Sequence, residues 1–407
     1  MPAATATALP RTAVAADRLT VRYVGPEWGG LLACLRDHGI EHRPADDGAT
    51  ADGPGDLVLV QAPPARFAAQ GQRVAQARGL PMVLDLRSPW ALDGRRVFPT
   101  PVHLAFERRA MRRALRAAAL VLVESPDLQR AVTALGVDPA RTLALPGGFD
   151  AAQPPLCASA DGAFHLLVQS ELLPAVDPPV PTRDGALQRR PRQLEPVGAT
   201  GFYLFSALAT LRKKHPAAFA RLRVHFAAPL DTSNREIAEW LEIEGCFAPP
   251  TGSTPLVADA VFVCQHGELG DARALDVPAA VFAALASERP LLAALPAGAA
   301  RDLVRHFDAG VVVPATDAPP LCHAIEQAMR DAAAGAPRAG ATRRDLRPFA
   351  REALAARLAP ALRAAARGAD VPAAAQLDWP APDCGVGGVV GGGATGCATG
   401  CATGARA

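Results

Sequence analysis

Several short apolar runs in the first 150 residues of this 407-residue chain end in charged residues or glycines that could perform chemistry. Asp85 and Arg87 close one such run. Because an unpaired charge beside a buried run is costly, they form either a structural ion pair or a ligand contact. Gly29 and Gly30 precede a helical pattern, where free backbone N–H groups either bind a phosphate or only make a tight turn. The other candidates at the ends of these runs are Trp90, Ser125, Gly148 and Asp150.

Two histidines and one charged loop extend the candidate set. His103 precedes a long helical pattern, where it could orient a substrate or act as a general base. His266 ends an apolar run in the second half, and Glu268, Arg273 and Asp276 follow in the same loop. For each of these residues the alternative is a structural or solvated side chain without a ligand.

Alternating strand and helix patterns position these residues. Short, nearly continuous apolar runs such as Asp56–Val60 are separated by segments with helical spacing, and this is typical of a parallel sheet covered on both faces. The alternation restarts in the second half. The sequence therefore predicts an α/β protein with two doubly wound, Rossmann-like domains, at 18–150 and 164–342, joined by a linker at 151–163.

Four further segments lack this alternation. Residues 1–17 are predicted to be flexible, and 174–198 form a polar insertion rich in proline and arginine. Residues 343–367 are predicted to form a last, closing helix. Residues 368–407 are a low-complexity tail, and because glycine-rich sequence cannot offset its ordering entropy, we expect that tail to be disordered.

Composition excludes several classes of protein. A net charge of +2 does not provide the basic footprint of a nucleic-acid-binding protein. The eight cysteines form no CxxC pair, so neither a disulfide framework nor a zinc site is predicted. Scattered reduced cysteines instead predict a cytoplasmic location. The N-terminus lacks a signal-peptide pattern, and no apolar run approaches the ~18–20 residues that span a bilayer.

One helical pattern, at 102–118, is strongly basic on one side. Five arginines fall within about 140° of arc at 100° per residue, and apolar residues lie opposite. The five are Arg108, Arg109, Arg112, Arg113 and Arg116. Such a helix either rests on an anionic membrane surface or packs by its apolar face and leaves its arginines in water.

Several segments, in their order along the chain, resemble the motifs of a known protein family. They are Asp85-Leu-Arg-Ser-Pro-Trp90, Val121-Leu-Val-Glu-Ser125, Leu145-Pro-Gly-Gly-Phe-Asp150, Leu256–Cys264 and Val277–Ala293. Together they resemble the GT-B glycosyltransferases of family four. The resemblance implies a cleft between the two domains and a C-terminal helix that crosses back to the first. It also implies transfer of a sugar from a nucleotide-diphosphate donor to a glycan or lipid-linked acceptor, with no metal or other cofactor.

The resemblance also assigns roles to the candidate residues. The catalytic candidates are Asp85, Arg87 and His103. The donor-binding candidates are Gly29, Gly30, His266, Glu268, Arg273 and Asp276. The candidates on the acceptor side are Trp90, Ser125, Gly148 and Asp150. With a lipid-linked acceptor, the arginine-rich helix would hold the protein on the inner face of the membrane.

The chain departs from the family pattern at the donor site. Ala283 and Leu275 stand where the family has carboxylates that face the ribose and the sugar, and Ala280 stands where it has a lysine. Glu171 lies in the region where the family neutralises the diphosphate with basic residues. The sequence therefore predicts a glycosyltransferase, and the alternative is a non-catalytic GT-B scaffold or binding protein with a decayed nucleotide-sugar site.

Overall fold

The computed structural model describes most of the chain. The described residues are 18–25, 30–45, 55–174, 197–249, 257–267, 272–336 and 340–382. The predicted flexible N-terminus, nearly all of the predicted insertion and the glycine-rich end of the tail lie outside these ranges.

The first sheet has six parallel strands in the spatial order β2-β1-β3-β4-β5-β6. The strands are β1 Leu19–Val24, β2 Ile40–Pro44, β3 Leu57–Ala62, β4 Met82–Leu86, β5 Leu120–Val123 and β6 Thr142–Ala144. Asp85 of β4 lies opposite Gln61 of β3 and Leu122 of β5. The polar residues that follow these central strands therefore share one edge of the sheet.

Four helices cover this sheet, and together they form the first lobe: α1 Gly30–Arg36, α2 Ala65–Arg78, α3 Pro101–Ala117 and α4 Pro126–Ala134. Two of them begin with strong start signals. Thr100 caps α3 by accepting from the His103 amide, and Ser125 caps α4 by accepting from the Leu128 amide at 3.0 Å. A proline then occupies the first helical position in both helices, where a missing N–H group costs nothing.

The second sheet has five parallel strands in the order β11-β10-β9-β7-β8. They are β7 Phe164–Val168, β8 Leu222–Phe226, β9 Ala260–Cys264, β10 Leu291–Ala294 and β11 Gly310–Val313. The helices of this second lobe are α5 Phe202–Lys214, α6 Pro216–Ala220, α7 Thr232–Trp240, α8 Ala279–Leu285, α9 Ala299–His306 and α10 Ala318–Ala333. The two doubly wound sheets confirm the predicted fold class.

A last helix, α11 Arg351–Arg367, crosses back and packs on α1 of the first lobe. Phe149 donates its amide to the Phe349 carbonyl at 3.2 Å and accepts from the Arg351 amide at 3.0 Å. The predicted start of the closing helix at residue 343 is wrong. Turns and a short 3₁₀ helix occupy the preceding residues, because Pro348 lacks the N–H group that a continuous helix would use.

The expected disorder after residue 367 is also wrong for the segment 369–382. This segment runs along the edge strand β6 of the first sheet: Gln376 donates to the Thr142 carbonyl at 3.3 Å, and the Trp379 indole N–H donates to the Ala144 carbonyl at 3.4 Å. Ala375 and Leu377 are buried. The segment is ordered because Leu377 and Trp379 supply the bulky apolar groups that the rest of the tail lacks.

Two short elements are absent from the predicted pattern, the edge strand β2 and the short helix α6. β2 reads Ile-Glu-His-Arg-Pro and has only one fully buried residue, so its sequence is that of a solvated loop. Among the described residues, no helix is long and apolar enough to cross a membrane.

Candidate functional site

Asp85 and Arg87 form an ion pair at the carboxyl edge of the first sheet. Arg87 Nε donates to Asp85 Oδ2 at 2.8 Å, and Arg87 Nη1 reaches the Leu145 carbonyl at 3.4 Å. The Asp85 side chain is 1% exposed and that of Arg87 is 20% exposed. This geometry satisfies the ion-pair interpretation.

Glu124, which directly follows β5, has a carboxyl group with a perturbed pKa at this edge. Burial raises its pKa well above the ordinary value, and the neighbouring carboxylate of Asp276 raises it further. Arg87 and Arg95 act in the opposite direction without cancelling the effect. Asp276 belongs to the second lobe, so Glu124 sits where charged groups of both lobes converge. A carboxyl group whose pKa is raised in a cleft is a candidate general acid or base.

Arg95 connects the two lobes. Its guanidinium contacts both carboxylate oxygens of Asp93, with Nε···Oδ1 at 2.9 Å and Nη2···Oδ2 at 3.0 Å, and it reaches Asp276 Oδ2 of the second lobe at 3.1 Å. Burial alone would lower the pKa of Arg95, but the Asp93 hydrogen bond and the charge of Asp276 outweigh it and raise the pKa. Arg95 is therefore a fixed cation in the cleft.

Gln265, at the end of β9, completes this arrangement. Its amide nitrogen donates to the Asp276 carbonyl and to Asp276 Oδ1, both at 3.0 Å. Its Oε1 atom is buried and has no hydrogen-bond partner within the described part of the chain. A buried acceptor without a partner is costly, and a water or a ligand hydroxyl would satisfy it.

A small cavity lies between these residues, bordered by Asp93 and Arg95 of the first lobe and by Gln265, His266 and Asp276 of the second. Its volume is about 30 Å³, which holds water but not a sugar nucleotide. In this conformation the lobes must separate before a large ligand can enter.

Two further contacts tie the lobes together. Arg273 of the second lobe pairs with Asp127 of α4 at 2.6 Å and also with Asp302 of α9. The hydrogen bond to Asp127 is the main cause that raises the pKa of Arg273. Beside it, the buried hydroxyl of Ser125 donates to the Leu275 carbonyl across the cleft. Ser125 is thus occupied by a cap and a cross-lobe bond, and Arg273 by two carboxylates.

Trp90 and His103 lie away from the small cavity. Trp90 is fully buried at a φ of 50°, and its indole N–H donates to Glu107 Oε2 at 2.6 Å, which leaves no surface for an acceptor. His103 lies in the first turn of α3, is exposed, and contacts the Thr100 hydroxyl through Nδ1 at 2.8 Å. The structure therefore does not bring His103 together with Asp85.

Three more candidate residues, Gly30, Gly148 and Asp150, lie close to the start of α11. A Cβ atom on Gly148, at a φ of +64°, would lie 2.4 Å from the Phe349 carbonyl oxygen, so close packing requires this glycine. Gly30 contacts the Arg351 side chain, and Arg351 lies 3.7 Å from Asp150. Gly29 and Glu268 lie outside the described residues.

The substituted donor positions are mostly apolar in space as well. Leu275 is buried, and its carbonyl makes the cross-lobe bond to Ser125. Ala280 and Ala283 are partly buried on α8, and Glu171 is exposed after β7. Where the family places carboxylates, the described residues therefore offer Asp276 instead, one position after Leu275.

The sequence assigned no role to Glu124, Arg95 or Gln265. Glu124 and Gln265 each directly follow a buried strand, which is the same signal that identified Asp85 and His266. Arg95 follows no strand, and only the folded loop places it beside Asp276.

Comparison with solved structures supports the architecture. Sucrose-phosphate synthase from Thermosynechococcus elongatus aligns with a TM-score of 0.57 at 14% identity, covering 85% of this chain and 98% of that chain. A putative UDP-N-acetylglucosamine 2-epimerase from Listeria monocytogenes aligns with a TM-score of 0.51 at 13% identity, covering 87% and 98%. No protein-family model matches the chain, and no curated protein matches it by sequence. The chain has the GT-B fold, and membership of family four stays a prediction.

Proposed function

We propose that the chain is a glycosyltransferase that moves a sugar from a nucleotide-diphosphate donor to a glycan or lipid-linked acceptor. One observation carries the proposal: Glu124, Arg95 and Asp276 converge from both lobes on the cleft, and the pKa of Glu124 is raised well above its usual range. Perturbed ionisable groups concentrated in an interdomain cleft are typical of active sites.

The chemistry divides between acid–base and electrostatic roles. Glu124 lies at the cleft, where its carboxylate form can accept the proton of an acceptor hydroxyl as the bond between the sugar and the diphosphate breaks. The leaving diphosphate needs positive charge. Arg95 and Arg273 lie at the cleft and can supply it once their contacts with Asp276 and Asp127 are released. Asp276 then faces the sugar, in place of the carboxylate that Leu275 has replaced.

The same contacts favour a second candidate, a non-catalytic GT-B scaffold. Ala283 and Leu275 offer no charged contact to a donor, and the cleft cavity of about 30 Å³ is bridged by the protein's own side chains. In a scaffold these cross-lobe ion pairs would be permanent structural contacts.

Calorimetric titration with nucleoside diphosphates and their glucose, mannose and N-acetylglucosamine conjugates separates the two candidates. The transferase proposal expects one nucleotide sugar to bind at millimolar concentration or below, and Glu124→Gln to retain that binding while losing at least a hundredfold in donor hydrolysis or transfer. The exposed residue Glu239 provides the control variant Glu239→Gln, which should behave as wild type. A folded sample that binds none of the donors would overturn the transferase and favour the scaffold.

A further inference from the structure

The outer side of α3 presents apolar and basic side chains together. Val102 is 60% exposed and Phe106 is 67% exposed, and Val97 in the preceding loop is 40% exposed. At about 100° per residue, Val102, Phe106, Arg109 and Arg113 lie along one stripe of the helix. We call Val97, Val102 and Phe106, together with the five arginines of α3, the α3 surface.

The arginines of the α3 surface are not used within the protein. Arg109, Arg112, Arg113 and Arg116 are exposed and Arg108 is partly exposed. Within the described ranges, none of the five makes a side-chain hydrogen bond or an ion pair. Glu107, the single acidic residue of α3, contacts the buried Trp90 indole. The charge of the arginines is therefore uncompensated along the helix.

The opposite side of α3 fixes the helix to the first lobe. Leu104 is buried, and Met111, Ala114 and Leu115 pack in the core between α3 and the sheet. Because these contacts fix the helix to the first lobe, its outer side is exposed without any rearrangement of the helix. A surface groove of about 570 Å³ lies between Arg109, Arg112, Arg113 and Arg116, large enough for the phosphate of a headgroup.

We propose that the α3 surface docks on an anionic lipid bilayer. Charge complementarity favours a polyanionic partner, since a cluster of unpaired arginines is attracted to an anionic surface. The exposed Phe106 and Val102 favour a bilayer over a soluble polyanion, because apolar side chains gain only where hydrocarbon can receive them. The arginines then lie at the level of the phosphates, and the two apolar side chains insert beneath them.

Docking of this kind sets the position of the cleft. The loop that carries Val97 begins at Asp93 and Arg95, which border the cavity between the lobes. A bilayer against Val97 and Phe106 therefore lies near the first-lobe side of the cleft. The docking inference does not depend on catalysis, because it rests on the α3 surface alone.

Flotation of the full chain with vesicles tests the inference. We expect binding to vesicles of 30% phosphatidylglycerol in phosphatidylcholine, at least tenfold weaker binding to pure phosphatidylcholine, and loss of most binding as salt is raised to 1 M. Arg109→Gln with Arg113→Gln should weaken binding by more than tenfold, since each basic side chain near the surface contributes about fivefold. Phe106→Ser should weaken the part of the binding that survives high salt.

Matched controls separate docking from general charge. Arg36 and Arg235 are exposed arginines on α1 and α7, so Arg36→Gln with Arg235→Gln removes the same charge elsewhere and should leave vesicle binding unchanged. Equal loss in both double variants would contradict the proposal, as would absence of vesicle binding or equal binding to neutral vesicles. Tight binding to heparin or duplex DNA, unaffected by Phe106→Ser and without vesicle binding, would identify a soluble polyanion instead. None of these outcomes changes donor titration, so this test and that of the transferase fail independently.

Discussion

At the residue scale, three carboxylates at the cleft are paired across short distances, and Glu124 differs from them. Asp85 has Arg87, and Asp93 and Asp276 share Arg95. No ion pair of Glu124 is found within the described ranges, and burial together with the neighbouring charge of Asp276 raises its pKa. A carboxyl group in this state costs stability when it ionises, and such groups are concentrated at active sites, which is why Glu124 enters the proposed function.

This state has a measurable pH dependence. Because the pKa of Glu124 is raised in the folded protein, the folded state holds its proton more tightly than the unfolded chain, whose value is about 4.5. The wild type therefore loses stability as the pH rises from about 4.5 through the folded pKa. Glu124→Gln cannot ionise, so its stability relative to wild type should increase between pH 5 and pH 8, by about 1.4 kcal/mol per unit of pKa difference.

Urea denaturation at several pH values measures this difference. Glu239→Gln, at an exposed position on α7, is the control and should show little change with pH relative to wild type. A stability difference between Glu124→Gln and wild type that stays flat from pH 5 to pH 8 would mean that Glu124 ionises normally in the folded protein.

The sequence predicted the site residues at strand ends better than those in the loops between the lobes. Residues at strand ends, such as Asp85 and His266, are found by pattern, because parallel strands always present their carboxyl ends at one edge. Arg95 and its contact with Asp276 could not be predicted, since the approach of two loops from different lobes depends on how the lobes pack. For Trp90 the sequence predicted a role that the structure does not favour: this candidate for the acceptor side is fully buried.

At the element scale, most helices and strands of both lobes follow from the apolar runs and the helical spacing of the sequence. The strand β2 and the ordered segment 369–382 did not follow from them. β2 is an edge strand that pairs on one side only, so its outward residues remain polar. The segment 369–382 is held by long-range contacts with the first sheet, and local composition does not report such contacts.

Trp379 should supply much of the stabilisation of the segment 369–382. Its ring meets Phe349 edge to face, with centroids 5.7 Å apart, and its N–H donates to the Ala144 carbonyl. Trp379→Ala removes a large partly buried ring, and we expect a loss of about 2 kcal/mol in the free energy of unfolding. Trp240 is 76% exposed, so Trp240→Ala is a control that should cost less than about 0.5 kcal/mol. Equal effects of the two variants would show that the segment is not anchored by its tryptophan.

At the scale of the whole molecule, two kinds of contact join the lobes. One apolar cluster is continuous from Leu32 of α1 through Phe349 and α11 to Phe282 of α8, and it forms a permanent hinge side. Across the cleft, Arg95, Ser125 and Arg273 reach the opposite lobe through polar contacts, and Leu275 packs on the apolar core of the first lobe. A cleft edge closed mainly by polar contacts is suited to opening and closing, because water can replace such contacts at little cost.

Arg273 should control that opening. Its guanidinium lies between Asp127 and Asp302, whose side chains are 4% and 3% exposed, so its removal takes a shared cation from two buried carboxylates, although Asp127 keeps its ion pair with Arg130. Breaking one partner of a buried pair costs about 3–5 kcal/mol. In Arg273→Gln the lobes can avoid this cost by separating at the cleft edge while the apolar hinge stays intact. We therefore expect a larger radius of gyration by X-ray scattering, with secondary structure unchanged.

A second substitution and a matched arginine test this cause. Asp127→Asn added to Arg273→Gln removes one of the two carboxylates, and it should return the radius of gyration part of the way to that of wild type. Arg330 pairs with Glu326 within α10 and does not reach the other lobe, so Arg330→Gln should leave the scattering curve unchanged. If Arg273→Gln scatters like Arg330→Gln, the ion pairs do not hold the lobes together. If it opens the molecule and also strengthens donor binding, closure of the cleft by Arg273 is what excludes the donor from the conformation described here.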